Sequence, residues 1–433
     1  MKKKAFSFLS TVLAASLVFG VSVYAAPETQ NAKPVKIEKE EKQHKEPIWI
    51  GAWAASQQHP RSTGISQQGF INQTVRMIVH PSASGSEIRL RFSNLYGTAP
   101  LTFGKVDVAL ASDGASTVAG TNQPVTFNGE PTVTIPIGAE LFSDPIPLAI
   151  QEGESLAVSV FVPEATGPTT WHSLGRQAAY AAVGDHAADH DAGSYSKVAE
   201  SWFWLSGVDV VTKNKKARVI VTFGDSITDG HGATVNANHR YPDFLAKRLA
   251  EAYPNQEISV LNAGISGNKI LRDSDVFGEK ALARLDRDVL SQTGVTDVIL
   301  LEGINDIGHA PHTLDASLII AGMKEIADRV HAKGLRIYAG TLLPFEDVTY
   351  EGYFTEEGER TRDKVNEWIR TSGVFDGVID FDQVMLNPEY PDKLLPTYDS
   401  GDHLHPNDAG YQAMAESIDL TLFKPVGSIK QDQ

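Results

Sequence analysis

Four short segments of this chain carry residues that could do chemistry together. Gly224-Asp225-Ser226-Ile227-Thr228-Asp229-Gly230 offers a serine hydroxyl, and Asn262-Ala263-Gly264-Ile265-Ser266-Gly267-Asn268 offers glycine backbone amides. Gly303-Ile304-Asn305-Asp306 adds a side-chain amide, and Asp402-His403-Leu404-His405-Pro406-Asn407 adds histidine beside carboxylate. A serine hydroxyl is too weak an acid to attack a carbonyl alone and needs an adjacent base. The tetrahedral oxyanion that forms needs preorganised donors. Hydroxyl, imidazole, carboxylate and amide donors are together the parts for acyl transfer through a serine ester. Each part alone has an ordinary explanation. A serine after a strand often caps a helix, Asp225 and Asp306 can brace loops, Asn305 can sit in a turn, and Asn407 or Asp408 can cap the last helix. The joint occurrence favours the chemical reading.

The elements around these segments decide whether they can meet. Val219–Phe223, Ile258–Leu261, Val298–Leu301, Leu335–Leu343 and Val378–Phe381 are apolar or β-branched runs that read as buried strands. Helical patterns cover Tyr241–Tyr253, the region around Leu282–Leu290, Leu314–Ala332 and Asp408–Leu422. Strand–helix alternation predicts a parallel sheet covered on both faces. Ligands of such sheets bind beyond the carboxyl ends of the strands, where the first three segments fall. Upstream, from Ile48 to about Val211, short strand-like runs alternate with turn residues, which predicts an all-β sandwich or jelly roll. Two features there invite a functional reading. Asp185-His186-Ala187-Ala188-Asp189-His190-Asp191 has metal-ligand chemistry but lies in a loop-like stretch without a zinc-protease glutamate, so a solvated acidic loop is the expectation. Trp49, Trp53, Trp171, Trp202 and Trp204 could stack on sugars, and buried anchors are the commoner use.

In order, GDS, NxxxSG, GxND and DxxHP resemble the blocks of the SGNH hydrolases, also called GDSL esterases and lipases. The resemblance covers about Val219 to Leu420, roughly half the chain, and reads GDSIT where the family name has leucine. It implies a three-layer α/β/α, flavodoxin-like fold preceded by the all-β domain. It implies Ser226 as nucleophile, His405 as base and Asp402 as the carboxylate orienting it, with His403 set aside by the DxxHP register. The Ser226 and Gly267 amides and the Asn305 side chain are the implied oxyanion donors, with Gly264 in a turn role. Asn305 is expected to face a solvent-filled site and to matter little to stability. No Gly-x-Ser-x-Gly elbow is present, against an ordinary α/β-hydrolase. No cofactor and no metal are expected.

Composition bounds the rest. The chain has 433 residues, 42% of them hydrophobic and 21% charged, which supports two or three cored domains. The absence of cysteine excludes a disulfide scaffold, a thiol nucleophile and cysteine-ligated metal. A formal charge of −16 disfavours nucleic acid and anionic membrane as partners. Lys2–Lys4, an apolar stretch from Phe6 to Val23 and Val23-Tyr24-Ala25 form a signal-peptide pattern, so residues 1–25 are expected to be removed and the product exported, extracellular or at the cell surface. Residues 26–46 read as a charged linker, 47–212 as the β-domain, 213–425 as the hydrolase domain and 426–433 as a tail. The expected function is an exported serine esterase, with acetyl or short acyl esters on extracellular polysaccharide as favoured substrates. The alternatives are a carbohydrate- or cell-wall-binding protein with a secondary hydrolase domain, a lipase or lysophospholipase, and a glycosidase, for which no carboxylate pair is identifiable.

Overall fold

Five of the apolar runs form one parallel sheet in the order Ile258–Gly264, Arg218–Gly224, Val295–Leu301, Arg336–Gly340, Gly377–Ile379. The computed structural model describes residues 47–151 and 153–424. The expected leader, linker and tail lie outside the described residues. Strand Arg218–Gly224 is buried at every position, as a central strand covered on both faces must be. Gly224 pairs with Gly264 on one side and Leu301 on the other, so the first three strands end on one row. The sheet grows outward in both directions from Arg218–Gly224. Right-handed crossovers therefore put helix Tyr241–Ala252 on one face and helix Ala316–Ala332 on the other. Helix Tyr241–Ala252 packs against Asp408–Ser417, and Ala316–Ala332 packs against Glu356–Thr371. The reversal of direction opens a crevice at the strand ends.

Helix Ala316–Ala332 follows its sequence closely. Asp315 caps it by accepting from the Ser317 amide, and Ile319, Met323, Ile326 and Val330 bury one stripe. Helix Glu356–Thr371 has no such apolar stripe, and the sequence pattern does not predict it. Thr355 caps it, and its buried face includes Glu359, Arg362 and Asn366. Arg362 pairs with Glu359, meets Asp382 at 2.6 Å and donates to the Leu342 carbonyl at 3.0 Å. Asn366 exchanges two hydrogen bonds with the Leu342 backbone. Val365 and Ile369 add apolar contact near the helix end, and these polar partners supply the rest.

The upstream region is all-β, with two main antiparallel sheets. One runs Ile48–Ala54, Leu205–Thr212, Ile88–Ser93, Glu140–Phe142, and the other is built around Gln73–Val79, Leu156–Val162 and Lys105–Leu110. Trp171, Trp202 and Trp204 are buried here, which suits anchoring better than sugar stacking. From Pro47 onward the chain is one compact unit. The Gly51 amide donates to the Thr293 carbonyl at 2.8 Å, and Ser82 Oγ meets both the amide and the carbonyl of Val260 at 2.9 Å. A Cβ on Gly51 would lie 2.8 Å from the end of the Leu261 side chain, so the two regions approach closely here.

Arg362→Ala leaves the buried Glu359 without its cation and takes one of two arginines from Asp382, which keeps Arg370. It is expected to cost about 3–5 kcal/mol in denaturant unfolding, the range for breaking a buried ion pair. A loss under about 1 kcal/mol would mean that water compensates the pair.

Candidate active site

Ser226 opens a four-residue helix, Ser226–Asp229, directly beyond the first strand. Asp225 is the cap, its side chain accepting from the Ile227 amide at 3.0 Å, so Ser226 itself is not spent on capping. Gly230 ends the helix in a left-handed conformation, φ 98°, and a Cβ there would meet the Arg240 side chain. On the far side of the crevice, Asp402 Oδ1 accepts from the amides of Leu404 at 3.0 Å and His405 at 2.9 Å. That turn leaves Asp402 Oδ2 2.6 Å from His405 Nδ1, while His405 Nε2 lies 2.8 Å from Ser226 Oγ. His403 points elsewhere, bonded to Asp399 from a residue with φ 62°.

Burial opposes the charge on Asp402, but the hydrogen bonds from His405 and the two amides outweigh it and hold the carboxyl well below its usual range. His231 stacks on His405 at 4.1 Å between ring centroids, and burial together with the neighbouring His405 lowers it to about 4. His231, Asp402 and His405 are the group with metal-ligand spacing found among the described residues. Both His405 nitrogens already serve Asp402 and Ser226, so a cation there would compete with those bonds. The run Asp185–Asp191 does not gather in this way: His186 bonds Asp189 at 2.7 Å while Asp185 faces Lys105 at 3.8 Å.

The second loop separates its two glycines. The Gly264 amide is taken by Asn262 Oδ1 at 2.9 Å, and a Cβ on Gly264 would lie 2.4 Å from the Asp229 amide nitrogen. Gly267, φ 77°, has no hydrogen bond to its amide among the described residues. In the third loop Asn305 is only 2% exposed, against the expectation of a solvent-facing side chain. Its Oδ1 accepts from the Tyr353 hydroxyl at 2.9 Å, and its Nδ2 is buried with no partner. Asp306 accepts from the Ile270 and Leu271 amides and so ties this loop to the second, and burial pushes it up to about 6. Asn407 caps the last helix, and Asp408 bonds His239.

Three residues that the sequence did not single out hold this arrangement. Arg284, wholly buried, donates to the carbonyls of Gly224 and Ala263 and to Asn268, at 2.9, 2.7 and 2.8 Å. Tyr353 fixes Asn305, and Tyr350 donates to Asp402 Oδ2 at 3.1 Å. None lies in a motif, and their partners are remote in sequence.

Asn305→Ala is expected to lower kcat by about 10²–10³ with little change in KM, the effect of removing one oxyanion donor. It should also cost about 1–3 kcal/mol of stability, because the buried Tyr353 hydroxyl loses its acceptor. Tyr353→Phe should lower kcat by about tenfold, the worth of one hydrogen bond. Steady-state kinetics and denaturant unfolding check all three, and unchanged kcat in Asn305→Ala would make the residue structural.

Residues 222–413 match the model of the GDSL-like Lipase/Acylhydrolase family. Among curated proteins none matches the chain. Solved structures similar to part of it include the carbohydrate acetylesterase Est24 from Sinorhizobium meliloti, at 17% identity and TM-score 0.37 over 48% of this chain and 98% of that one. The M. smegmatis aryl esterase, inhibitor-bound, has 18% identity and TM-score 0.38 over 46% and 95%. The acetyl xylan esterase AlAXEase has 22% identity and TM-score 0.35 over 46% and 96%. Over residues 222–413, then, the chain carries a GDSL-like lipase/acylhydrolase domain.

Proposed function

We propose that this domain hydrolyses carboxylic esters through an acyl-Ser226 intermediate. The observation that carries the reading is the unbroken line Asp402–His405–Ser226, at 2.6 and 2.8 Å, in a structure that also leaves the buried Asn305 amide unpartnered. His405 Nε2 takes the hydroxyl proton as Ser226 Oγ bonds to the ester carbonyl carbon. The charge that develops on the carbonyl oxygen is met by the Ser226 amide, the Gly267 amide and Asn305 Nδ2. Collapse breaks the bond to the alcohol oxygen, which leaves with the proton from His405. A water then repeats the sequence on the acyl-enzyme, its proton passing to His405 and on to Ser226. Asp402 keeps Nδ1 protonated and stabilises the imidazolium.

For substrate, we infer acetyl or short acyl esters on extracellular polysaccharide. The export pattern of residues 1–25 and the β-region, read as a sandwich spanning 47–212 ahead of a hydrolase domain at 213–425, support this. A panel of acyl chain lengths and acetylated glycans should show release of acetate or short acids, without new reducing ends. Preference for long-chain lipid esters would overturn the substrate reading.

Two outcomes test the mechanism. A serine-directed phosphonate should add at Ser226, and Ser226→Ala should lose roughly 10³-fold or more in kcat. The acid limb of the kcat/KM profile should reflect a single proton. Asp402, with its pKa depressed, stays ionised throughout that limb, and His231 is already neutral above about 4. A two-proton limb would show that a second group in the site controls turnover.

A further inference from the structure

His172 is the only residue of the β-region whose side chain reaches the carboxylate of Asp229, at the end of the nucleophile's helix, among the described residues. It sits in the short strand Trp171–His172 and is 2% exposed, as is Asp229. Its Nδ1 lies 2.7 Å from the Ser56 carbonyl and its Nε2 lies 2.8 Å from Asp229 Oδ1. Both partners are acceptors, so the ring donates from both nitrogens as an imidazolium. Burial pulls its pKa down, but Asp229 more than offsets this and holds it above the usual histidine range, with Arg240 a weaker opposing charge.

The other Asp229 oxygen, Oδ2, accepts from the Ser266 amide at 2.9 Å and from Ser266 Oγ at 3.0 Å. Ser266 is the residue before Gly267, so Asp229 holds both the amide and the side chain of the Cα from which the Ser266–Gly267 peptide starts. Packing does not fix Asp229 by itself. A cavity of about 490 Å³ between the regions is lined by His172, Trp202, Asp229, Arg240 and Asn262, and does not include Ser226.

We propose that the β-region belongs to the catalytic apparatus through one strut, Ser56 carbonyl–His172–Asp229–Ser266, in which His172 is a positioning residue that holds the Gly267 amide where the oxyanion forms. The inference rests on the serine-ester reading and on Gly267 as a donor. Without His172, Asp229 would keep only its bonds to Ser266 and could turn with it toward the cavity, so the Ser266–Gly267 peptide would lose its fixed anchor.

The experiment is a double-mutant cycle on the full chain. His172→Ala should lower kcat by about tenfold and Ser266→Ala, which keeps the backbone bond, by about threefold, each with KM within about twofold. Because both act through one strut, the double variant should lose no more than about tenfold, instead of the product of the two. A trifluoromethyl ketone, which forms a tetrahedral adduct on serine, should bind more weakly by the same factors, which a merely destabilised fold would not produce. Folded variants with kcat within twofold of wild type, a loss confined to KM, or multiplicative losses would each overturn the strut. If His172→Ala does not fold, Ser266→Ala decides, through kcat and ketone affinity. Phosphonate labelling separates the two levels: an unlabelled wild-type Ser226 removes the serine-ester reading and the strut with it. Labelled Ser226 with unimpaired variants removes the strut alone.

Discussion

The 2.8 Å hydrogen bond between Ser226 Oγ and His405 Nε2 is the constraint that organises this molecule. Its partners lie 179 residues apart, and a shift of about 1 Å at either end would break it. Each end is therefore locked locally. Ser226 is held between a strand that is buried throughout and a helix capped by Asp225 and ended by Gly230. His405 is held by two amide bonds to Asp402, by the Ser400 amide on its carbonyl, and by the last helix packed on Tyr241–Ala252. Tyr411 of that helix reaches back to the His231 carbonyl, tying the two ends directly.

In the proposed mechanism the same crevice accepts a developing negative charge, yet carboxylates surround it. The structure reconciles the two by spending those carboxylates on backbone amides and cations. Asp225 accepts from Ile227 and is pushed up to about 7 by burial, and Asp306 accepts from Ile270 and Leu271. Asp229 faces His172, and Asp288 meets Arg284 at 3.2 Å. Carboxylates turned to amides or protonated repel an oxyanion far less than free ones. The donors left over, Asn305 Nδ2 and the Gly267 amide, can then act without a competing acceptor beside them.

What the sequence made legible follows from locality. Five apolar runs became the parallel sheet because burial on both faces demands continuous hydrophobicity. The four polar segments stood out because each interrupts the pattern where a strand or helix begins or ends. Helix Glu356–Thr371 stayed hidden because it packs through Arg362, Glu359 and Asn366, which mimic a solvated face in sequence. Arg284, Tyr353 and His172 stayed hidden for a different reason. Arginine, tyrosine and histidine are common surface residues, and only the fold reveals that these three are buried against strand-end carbonyls, Asn305 and Asp229. The expectation that Asn305 faces solvent failed for the same reason, since Tyr353 covers it from a segment that carries no motif.

The β-region's place follows from how it meets the hydrolase region. Independent domains joined by a linker usually share small, polar interfaces and move relative to one another. Here the strand Leu205–Thr212 runs almost directly into Arg218–Gly224, and the contacts combine bonds to backbone with side-chain pairs. Gly51 bonds Thr293, Ser82 is inserted at Val260, Arg91 donates to Gln292 at 2.9 Å, and Thr293 donates to Asp209 at 2.7 Å. Side-chain pairs alone would tolerate sliding, but backbone bonds fix register as they do within a sheet. A rigid joint of this kind lets a residue such as His172 hold a loop of the other region to a few tenths of an ångström. A mobile joint would let the same residue leave and return, and its hydrogen bond could not define a position.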